Sequence, residues 1–253
     1  MSGTSQRQAA AIAGISYVVI IALGLFANFA VLQRPVETGD AAATVSNIVE
    51  AETLFRLGVV AFVLVLIADV VVAWALYVLF QPTSRELSRF AAWFRLVYAG
   101  IAAAALLNVM VALKLADGTG YVSSIGTDQR HAQAMLSLDG FHSGWRIALV
   151  FFGAHLLLLG VLMVKADFAP SALGVLVAIA GLGYAVVNLA PALMSSYEDH
   201  QGLNFLLLAA LAIPGEFGLT GWLLWKAGRG RHAEDDADRA ARAGRRGAAV
   251  TTR

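Results

Sequence analysis

Cysteine is absent from this chain of 253 residues, and charged side chains are scarce. Without cysteine there is no disulfide framework, no thiolate metal site and no cysteine nucleophile. Lys, Arg, Asp and Glu make up 14% of the residues, whereas about a quarter is usual in soluble proteins. Hydrophobic residues reach 59%. This composition excludes a soluble enzyme, a disordered regulator and a nucleic-acid-binding domain.

Long apolar runs occupy most of the chain instead. A membrane-spanning helix needs about 20 predominantly apolar residues. Six segments meet this requirement: Ala9–Leu32, Leu54–Phe80, Phe90–Leu113, Phe141–Val164, Pro170–Ala190 and Leu203–Lys226. We therefore predict an all-α fold class, an integral membrane bundle of six transmembrane helices. Residues 1–226 form the polytopic membrane domain, and residues 227–253, which have no apolar face, form a disordered tail.

The distribution of basic residues predicts how the chain is oriented. If the N-terminus is cytoplasmic, 12 of the 18 Lys and Arg residues lie on the inner side, and the outer connections hold only Arg34, Lys114 and Arg130. Short cytoplasmic segments of membrane proteins are enriched in Lys and Arg. Both termini are therefore predicted to face the cytoplasm, in a multi-pass protein of the plasma membrane.

Local patterns predict several helix ends. Thr83 with Glu86 has the spacing of a capping box at the start of the third span. Pro170 is placed as a first-turn proline of the fifth span. Apolar residues at helical spacing predict an amphipathic helix over Asp40–Thr53, continuing into the second span, and a weaker one over Thr127–Leu138.

Four polar residues fall deep within the spans. Counted from the inner ends at 1.5 Å per residue, Asp69 lies about 16 Å deep, His155 about 14 Å and Glu216 about 15 Å. Arg95 lies about 8 Å deep on the third span, and its long side chain can reach toward Asp69. Because a charge near the bilayer centre costs several kcal/mol, such residues mark functional sites. We predict that Asp69, Arg95, His155 and Glu216 form a midplane polar site.

Three interpretations of this midplane site remain open. Pro214 interrupts the backbone next to Glu216, and irregular backbone at this depth is tolerated only against protein or a water-filled cavity. A carboxylate in such a cavity suits proton-coupled transport of a small solute. In a second interpretation, Asp69, His155 and Glu216 bind Zn²⁺ in an intramembrane metal-dependent hydrolase. In the third, the protein is a structural or sensory partner, and its polar residues only fix helix packing.

The sequence contains no motif for a cofactor or an enzymatic nucleophile. It has no phosphate-binding P-loop, no His-Glu-x-x-His and no Gly-x-Ser-x-Gly. His155 is the single histidine near the midplane, which disfavours a haem pair. We expect no cofactor, and the metal and enzyme interpretations remain the weaker alternatives because ligands on separate helices have no spacing signature.

A second polar layer is predicted near the outer interface. It contains Asn28, Arg56, Asn108, Arg146 and Asn188. Arg56 and Arg146 together would suit an anionic headgroup or substrate. We favour the alternative, in which each extends toward water and pairs with a loop acid such as Glu52 or Asp139.

Other residues predict lipid contacts and helix packing. Lys226, Arg229 and Arg231 follow the last span, where basic residues typically contact anionic lipid headgroups. No nucleic-acid partner is expected. Small residues at regular spacing predict packing faces that include Gly174 and Gly181 on the fifth span and Gly14 and Gly24 on the first.

Several blocks of the sequence match a known pattern in the same order: Gly39–Gly58, Asp69–Phe80, Phe94–Val97, Phe151–Met163 and Ala169–Tyr184. Together they resemble an uncharacterised bacterial family of multi-pass membrane proteins, domain of unknown function 4386. The resemblance extends from Arg7 to about Trp225 and omits the tail. At one position Ser171 follows Pro170, where the family tends to have Arg. The resemblance implies a compact helical membrane domain and carries no activity.

Overall fold

The computed structural model describes residues 4–193, 206, 209–210 and 212–229, and these form an all-helical fold without β-strands. The helices are α1 (Gln6–Asn28), α2 (Ala41–Glu50), α3 (Glu52–Phe80), α4 (Arg85–Asp117), α5 (Thr127–Lys165) and α6 (Ser171–Leu193). Residues 212–229 form a further helix, α7. A π-helical segment, Phe29–Gln33, extends α1, and a 3-10 turn, Gly120–Ser124, precedes α5.

Within the part of the chain that the structure describes, five helical segments are long and apolar enough to cross a membrane: Gln6–Gln33, Glu52–Phe80, Arg85–Asp117, Thr127–Lys165 and Ser171–Leu193. Each overlaps one of the first five predicted spans, so the all-α fold class is confirmed, and the length and composition of these helices fit a membrane protein. The sixth predicted span, Leu203–Lys226, lies partly outside the described residues, and its described remainder contributes to α7. The predicted tail lies outside them from residue 230 onward.

Two predicted helix starts are off by one residue. The cap of α4 is Ser84 and not Thr83, because the Ser84 hydroxyl accepts a hydrogen bond from the Leu87 amide at 3.4 Å. Helix α6 begins at Ser171, so Pro170 precedes its first turn and accepts from the Gly174 amide at 3.1 Å. Ser84 has the extended backbone of an N-cap, and Pro170 supplies the carbonyl that accepts the hydrogen bond from Gly174 at the start of α6.

The two connections that the sequence predicts to be outer differ from each other. The predicted amphipathic helix forms as α2, but Ala51, with φ −104° and ψ 27°, interrupts it before α3 begins at Glu52. The weaker predicted helix over Thr127–Leu138 is the first part of α5, which continues unbroken for 39 residues. Helix α5 therefore extends well beyond the span predicted from its apolar run.

Glycines bring α5 and α6 into backbone contact. A Cβ atom placed on Gly160 would lie 2.5 Å from the carbonyl oxygen of Gly174, and one on Gly153 would lie equally close to that of Gly181. The predicted packing role of Gly174 and Gly181 is confirmed. On α1, no atom of the described residues lies within 4 Å of a Cβ added to Gly24, so its predicted packing role finds no support among them.

Four segments meet at one end of the bundle, which we call the basic end: the start of α1, the α3–α4 and α5–α6 connections, and the end of α7. Gln6 Nε2 donates to the Leu79 carbonyl at 3.4 Å, and Arg7 Nε donates to the Ala227 carbonyl at 3.2 Å. Between them lies a cluster of aromatic rings, Phe80, Phe168 and Trp222. These contacts join the first, third and last long helices at the same level.

Candidate functional site

Arg95 of α4 is fully buried and forms an ion pair with Asp69 of α3. Both side chains are 1% exposed. Arg95 Nε donates to Asp69 Oδ1 at 3.0 Å, and Nη2 donates to the same oxygen at 2.5 Å. Burying two charges is costly, and close pairing with good hydrogen-bond geometry offsets this cost. The predicted contact between these two residues is therefore present.

Tyr17 of α1 and His155 of α5 complete the hydrogen bonding of the guanidinium. Arg95 Nη1 donates to the Tyr17 hydroxyl at 2.7 Å and lies 3.2 Å from His155 Nε2. The other ring nitrogen, Nδ1, lies 2.9 Å from the Ala91 carbonyl. A carbonyl only accepts, so Nδ1 carries the proton and Nε2 accepts from Arg95. The imidazole is therefore neutral.

Aromatic rings surround the guanidinium. The carbon Cζ of Arg95 lies 4.8 Å from the centroid of the Tyr17 ring and 5.3 Å from that of Phe152. Both distances suit cation–π attraction, which strengthens away from water. Four helices thus converge on Arg95: α1, α3, α4 and α5. We call Asp69, Arg95, His155 and Tyr17 the arginine cluster.

One oxygen of the cluster remains unused. Asp69 Oδ2 is buried and has no hydrogen-bond partner among the described residues. Tyr98 of α4 lies within electrostatic range of this carboxylate, and its ring packs against Phe152 at a centroid distance of 5.0 Å. Since buried polar atoms in native proteins are normally hydrogen-bonded, the Tyr98 hydroxyl is the donor placed to satisfy this carboxylate.

Glu216 of α7 lies outside the arginine cluster. Its Oε1 accepts a 2.6 Å hydrogen bond from the Tyr184 hydroxyl of α6. No Lys or Arg of the described residues forms an ion pair with it. Residues 212–229 are helical throughout, Pro214 included. Glu216 is thus a half-buried carboxylate held by one tyrosine.

A cavity of about 270 Å³ adjoins Glu216. It lies between α1, α6 and α7 and is lined by Ile21, Tyr184, Ala209, Ala212, Ile213, Glu216 and Phe217. Apart from the carboxylate and the phenol of Tyr184, the lining side chains are apolar. The cavity therefore offers one polar corner in an apolar wall.

The Phe152 ring lies between the two sites. It meets the Tyr184 ring edge-on, at a centroid distance of 5.2 Å, and the His155 ring at 6.0 Å. Two of the four predicted midplane residues, Asp69 and His155, therefore contact Arg95 directly. Glu216 contacts Tyr184 instead, and the Phe152 ring packs between Tyr184 and His155.

This geometry opposes the metal interpretation. The described residues contain no group of three His, Cys, Asp or Glu side chains that could hold a metal ion. Both nitrogens of His155 are engaged, and the Arg95 guanidinium occupies the position between His155 and Asp69. A cation at that position repels a second one, so Asp69, His155 and Glu216 do not form a ligand set.

The predicted outer polar layer does not converge on one site. Arg56 is exposed and pairs with Glu52 one helical turn earlier, at 2.6 Å. Asn108 and Asn188 each donate to a carbonyl of their own helix, and Asn28 accepts from Gln33. Arg146 is half-buried on α5, close enough to His142 to interact electrostatically.

Sequence reasoning missed the tyrosines. The pattern of residue types does not single out Tyr17, Tyr98 or Tyr184 as site residues. A signal was available, because a buried tyrosine hydroxyl usually finds a polar partner. Three tyrosines within apolar spans therefore point toward the buried charges that they contact.

Comparison with known proteins identifies the family. A family model described as "Domain of unknown function (DUF4386)" matches residues 12–227. The chain belongs to this family, in agreement with the resemblance seen in its sequence blocks.

A relative from the archaeon Archaeoglobus fulgidus, described as "Uncharacterized protein", is 34% identical over 128 residues. The matched region covers 51% of this chain and 63% of the relative, so the chain spans somewhat less than two thirds of that protein. No solved structure matches the chain. The family and the apolar helical bundle together fit an integral membrane protein of unknown activity.

Proposed function

We propose that this member of the family couples proton movement to transport of a small solute, with Glu216 as the proton-binding group. The observation that carries the proposal is the position of Glu216: a carboxylate at membrane depth, next to a cavity, with one hydrogen bond and no paired cation among the described residues. An uncompensated charge there is costly, and binding a proton removes it.

The arginine cluster has a different part in this proposal. Arg95 neutralises Asp69, and the neutral His155 adds no charge. The cluster is therefore a fixed, charge-balanced unit that holds α1, α3, α4 and α5 together beside the cavity. Of the four midplane residues, Glu216 is the carboxylate that can change its charge without breaking an ion pair of the described residues.

The topology we propose has six spans in the plasma membrane, with both termini on the cytoplasmic side. Among the described residues, the basic end carries Arg7, Arg85, Arg89, Lys165, Lys226 and Arg229 against two acids, Glu86 and Asp167. The opposite end is rich in acids. The excess of basic residues supports a cytoplasmic basic end.

Single cysteines test this orientation, since the chain has none of its own. In intact cells, a thiol reagent that does not cross membranes should label Thr119→Cys, between α4 and α5, and spare Thr83→Cys, between α3 and α4. Lysed cells should show both sites labelled. The reverse pattern would contradict the proposed orientation.

Proton movement is the test of transport. Proteoliposomes containing a pH-sensitive dye would be exposed in turn to amino acids, sugars and organic anions. We expect at least one class to drive proton entry with the wild type and not with Glu216→Gln. Glu86→Gln, which changes an exposed carboxylate at the basic end, is the matched control and should behave as the wild type.

Two results would overturn the proposal. One is wild-type protein that moves no protons with any solute class. The other is proton entry that Glu216→Gln leaves unchanged. If Glu216→Gln and Tyr184→Phe alter only thermal stability, the polar residues serve helix packing, and the protein is a structural or sensory partner.

A further inference from the structure

A second cavity, of about 420 Å³, opens at the basic end of the bundle. It is lined by Gln6, Arg7, Phe168, Trp225, Lys226 and Arg229. These residues come from α1, the α5–α6 connection and α7, so the cavity exists only in the folded bundle. Among the described residues, its lining includes three cations and no acidic side chain.

Two of the cations rest on aromatic rings. Lys226 Nζ lies 4.3 Å from the centroid of the Phe168 ring, and Arg229 Cζ lies 4.3 Å from that of Trp225. Neither forms an ion pair with a carboxylate of the described residues. Cation–π contacts orient a charged group without neutralising it. Both side chains thus remain able to attract an anion.

The floor of the cavity is well supported. Phe168 stacks on Trp222 with an interplanar angle of 11° and packs against Phe80 at a centroid distance of 5.5 Å. Because the ring beneath Lys226 is fixed on two sides, the ammonium group has a defined position. A preorganised cation binds an anion at a lower entropic cost than a free surface lysine does.

The start of α1 adds to the positive potential. Helix N-termini carry a partial positive charge, and Gln6 and Arg7 in the first turn of α1 line the cavity. Arg7 Nε also donates to the Ala227 carbonyl, which fixes α1 beside α7. The positive potential therefore comes from two helices that a hydrogen bond holds together.

We propose that this cavity binds the phosphate of an anionic phospholipid headgroup. The cavity lies at the ends of apolar helices, and Trp225, which is 53% exposed, is placed as an interfacial tryptophan. Basic pockets at the ends of membrane helices bind such headgroups. The site is built from Lys226 and Arg229 and does not depend on the transport proposal; Arg231 lies outside the described residues.

Native mass spectrometry of the purified full chain tests the proposal. Phosphatidylglycerol would be added in increasing amounts, with phosphatidylcholine as the neutral lipid. We expect the wild type to retain phosphatidylglycerol preferentially. Lys226→Gln with Arg229→Gln should weaken this binding roughly tenfold or more, since each basic residue near a membrane surface contributes about 1 kcal/mol.

A matched double variant separates the site from general surface charge. Arg85→Gln with Arg89→Gln removes two positive charges from the same end but outside the cavity, and it should retain most of the phosphatidylglycerol binding. Lys226→Arg keeps the charge and should also retain it. If both double variants lose phosphatidylglycerol binding equally, with thermal unfolding unchanged, the binding depends on general surface charge and the proposal is overturned.

Soluble glycerol 3-phosphate distinguishes the two sources of phosphate. If the occupant is a lipid, millimolar glycerol 3-phosphate should not displace phosphatidylglycerol, because the free anion lacks acyl chains in the surrounding detergent. If it displaces the lipid, the cavity is a site for soluble phosphate compounds, and the lipid proposal is wrong.

Discussion

Arg95 donates two hydrogen bonds to one oxygen of Asp69, Oδ1, while the second oxygen, Oδ2, has no partner among the described residues. The guanidinium therefore binds the carboxylate through one oxygen, and its remaining nitrogen, Nη1, donates to the Tyr17 hydroxyl and to His155 Nε2. This arrangement makes Arg95 the residue through which four helices are joined.

The stability of the bundle should depend on this pair as a unit. Arg95→Met leaves Asp69 buried without a counter-charge and should lower the free energy of unfolding by about 3–5 kcal/mol. The double variant Asp69→Leu with Arg95→Met removes both charges and should recover much of that loss. Titration with sodium dodecyl sulfate in mild detergent measures both. If the double variant is less stable than Arg95→Met, the unpaired charge of Asp69 is not what destabilises Arg95→Met.

Tyr17 should matter through its hydroxyl alone. Tyr17→Phe keeps the ring beneath Arg95 but removes the 2.7 Å acceptor of Nη1. A buried donor that loses its acceptor costs about 1–3 kcal/mol, and we expect that loss in the free energy of unfolding. Tyr121→Phe, at a residue 73% exposed, is the control and should have no measurable effect. Equal stabilities would mean that His155 alone satisfies Nη1.

Substituting glycine by alanine should destabilise the bundle where the glycine packs against another helix and not where it faces open space. In Gly160→Ala the new Cβ would meet the Gly174 oxygen at 2.5 Å and the Ala178 nitrogen at 2.6 Å, both backbone atoms that cannot move aside cheaply. Overpacking of this kind costs about 1–3 kcal/mol. Gly100→Ala faces open space and should be neutral or stabilising by up to about 1 kcal/mol, since alanine favours helix. Thermal unfolding in detergent measures both, and a stable Gly160→Ala would contradict the close α5–α6 packing.

Adjacent hydroxyl residues should differ at the start of α4. Ser84 caps the helix by accepting from the Leu87 amide, whereas Thr83 precedes the cap. Ser84→Ala should cost about 1 kcal/mol, and Thr83→Ala should cost little. The same unfolding measurement compares them. If Thr83→Ala loses more stability than Ser84→Ala, Thr83 is the cap, as the sequence pattern predicts.

The sequence alone predicts the membrane helices because each depends on its own residues. A run of about 20 apolar residues forms a spanning helix regardless of its neighbours, since every backbone polar group must be bonded within the segment. Exact starts are less predictable. The starts of α4 and α6 each differ from the prediction by one residue, because a helix start depends on the backbone angles of single residues, which the pattern of residue types does not specify.

The candidate site shows where such reasoning ends. The residue count along each span predicts that Asp69, His155 and Glu216 lie at the same depth in the membrane. This depth follows from the rise per residue of an α-helix alone. Depth does not determine which way a side chain faces around the helix. Asp69 and His155 face Arg95, whereas Glu216 faces Tyr184, with the Phe152 ring between.

The sequence by itself thus determined the membrane class of the chain, its apolar helices and the distribution of charge between the ends. These features depend on local composition and on the length of apolar runs. The tertiary structure decided which polar groups meet: the arginine cluster, the tyrosine bound to Glu216 and the cationic cavity at the basic end. Each joins residues from different helices, and only the rotation and close packing of those helices bring them together.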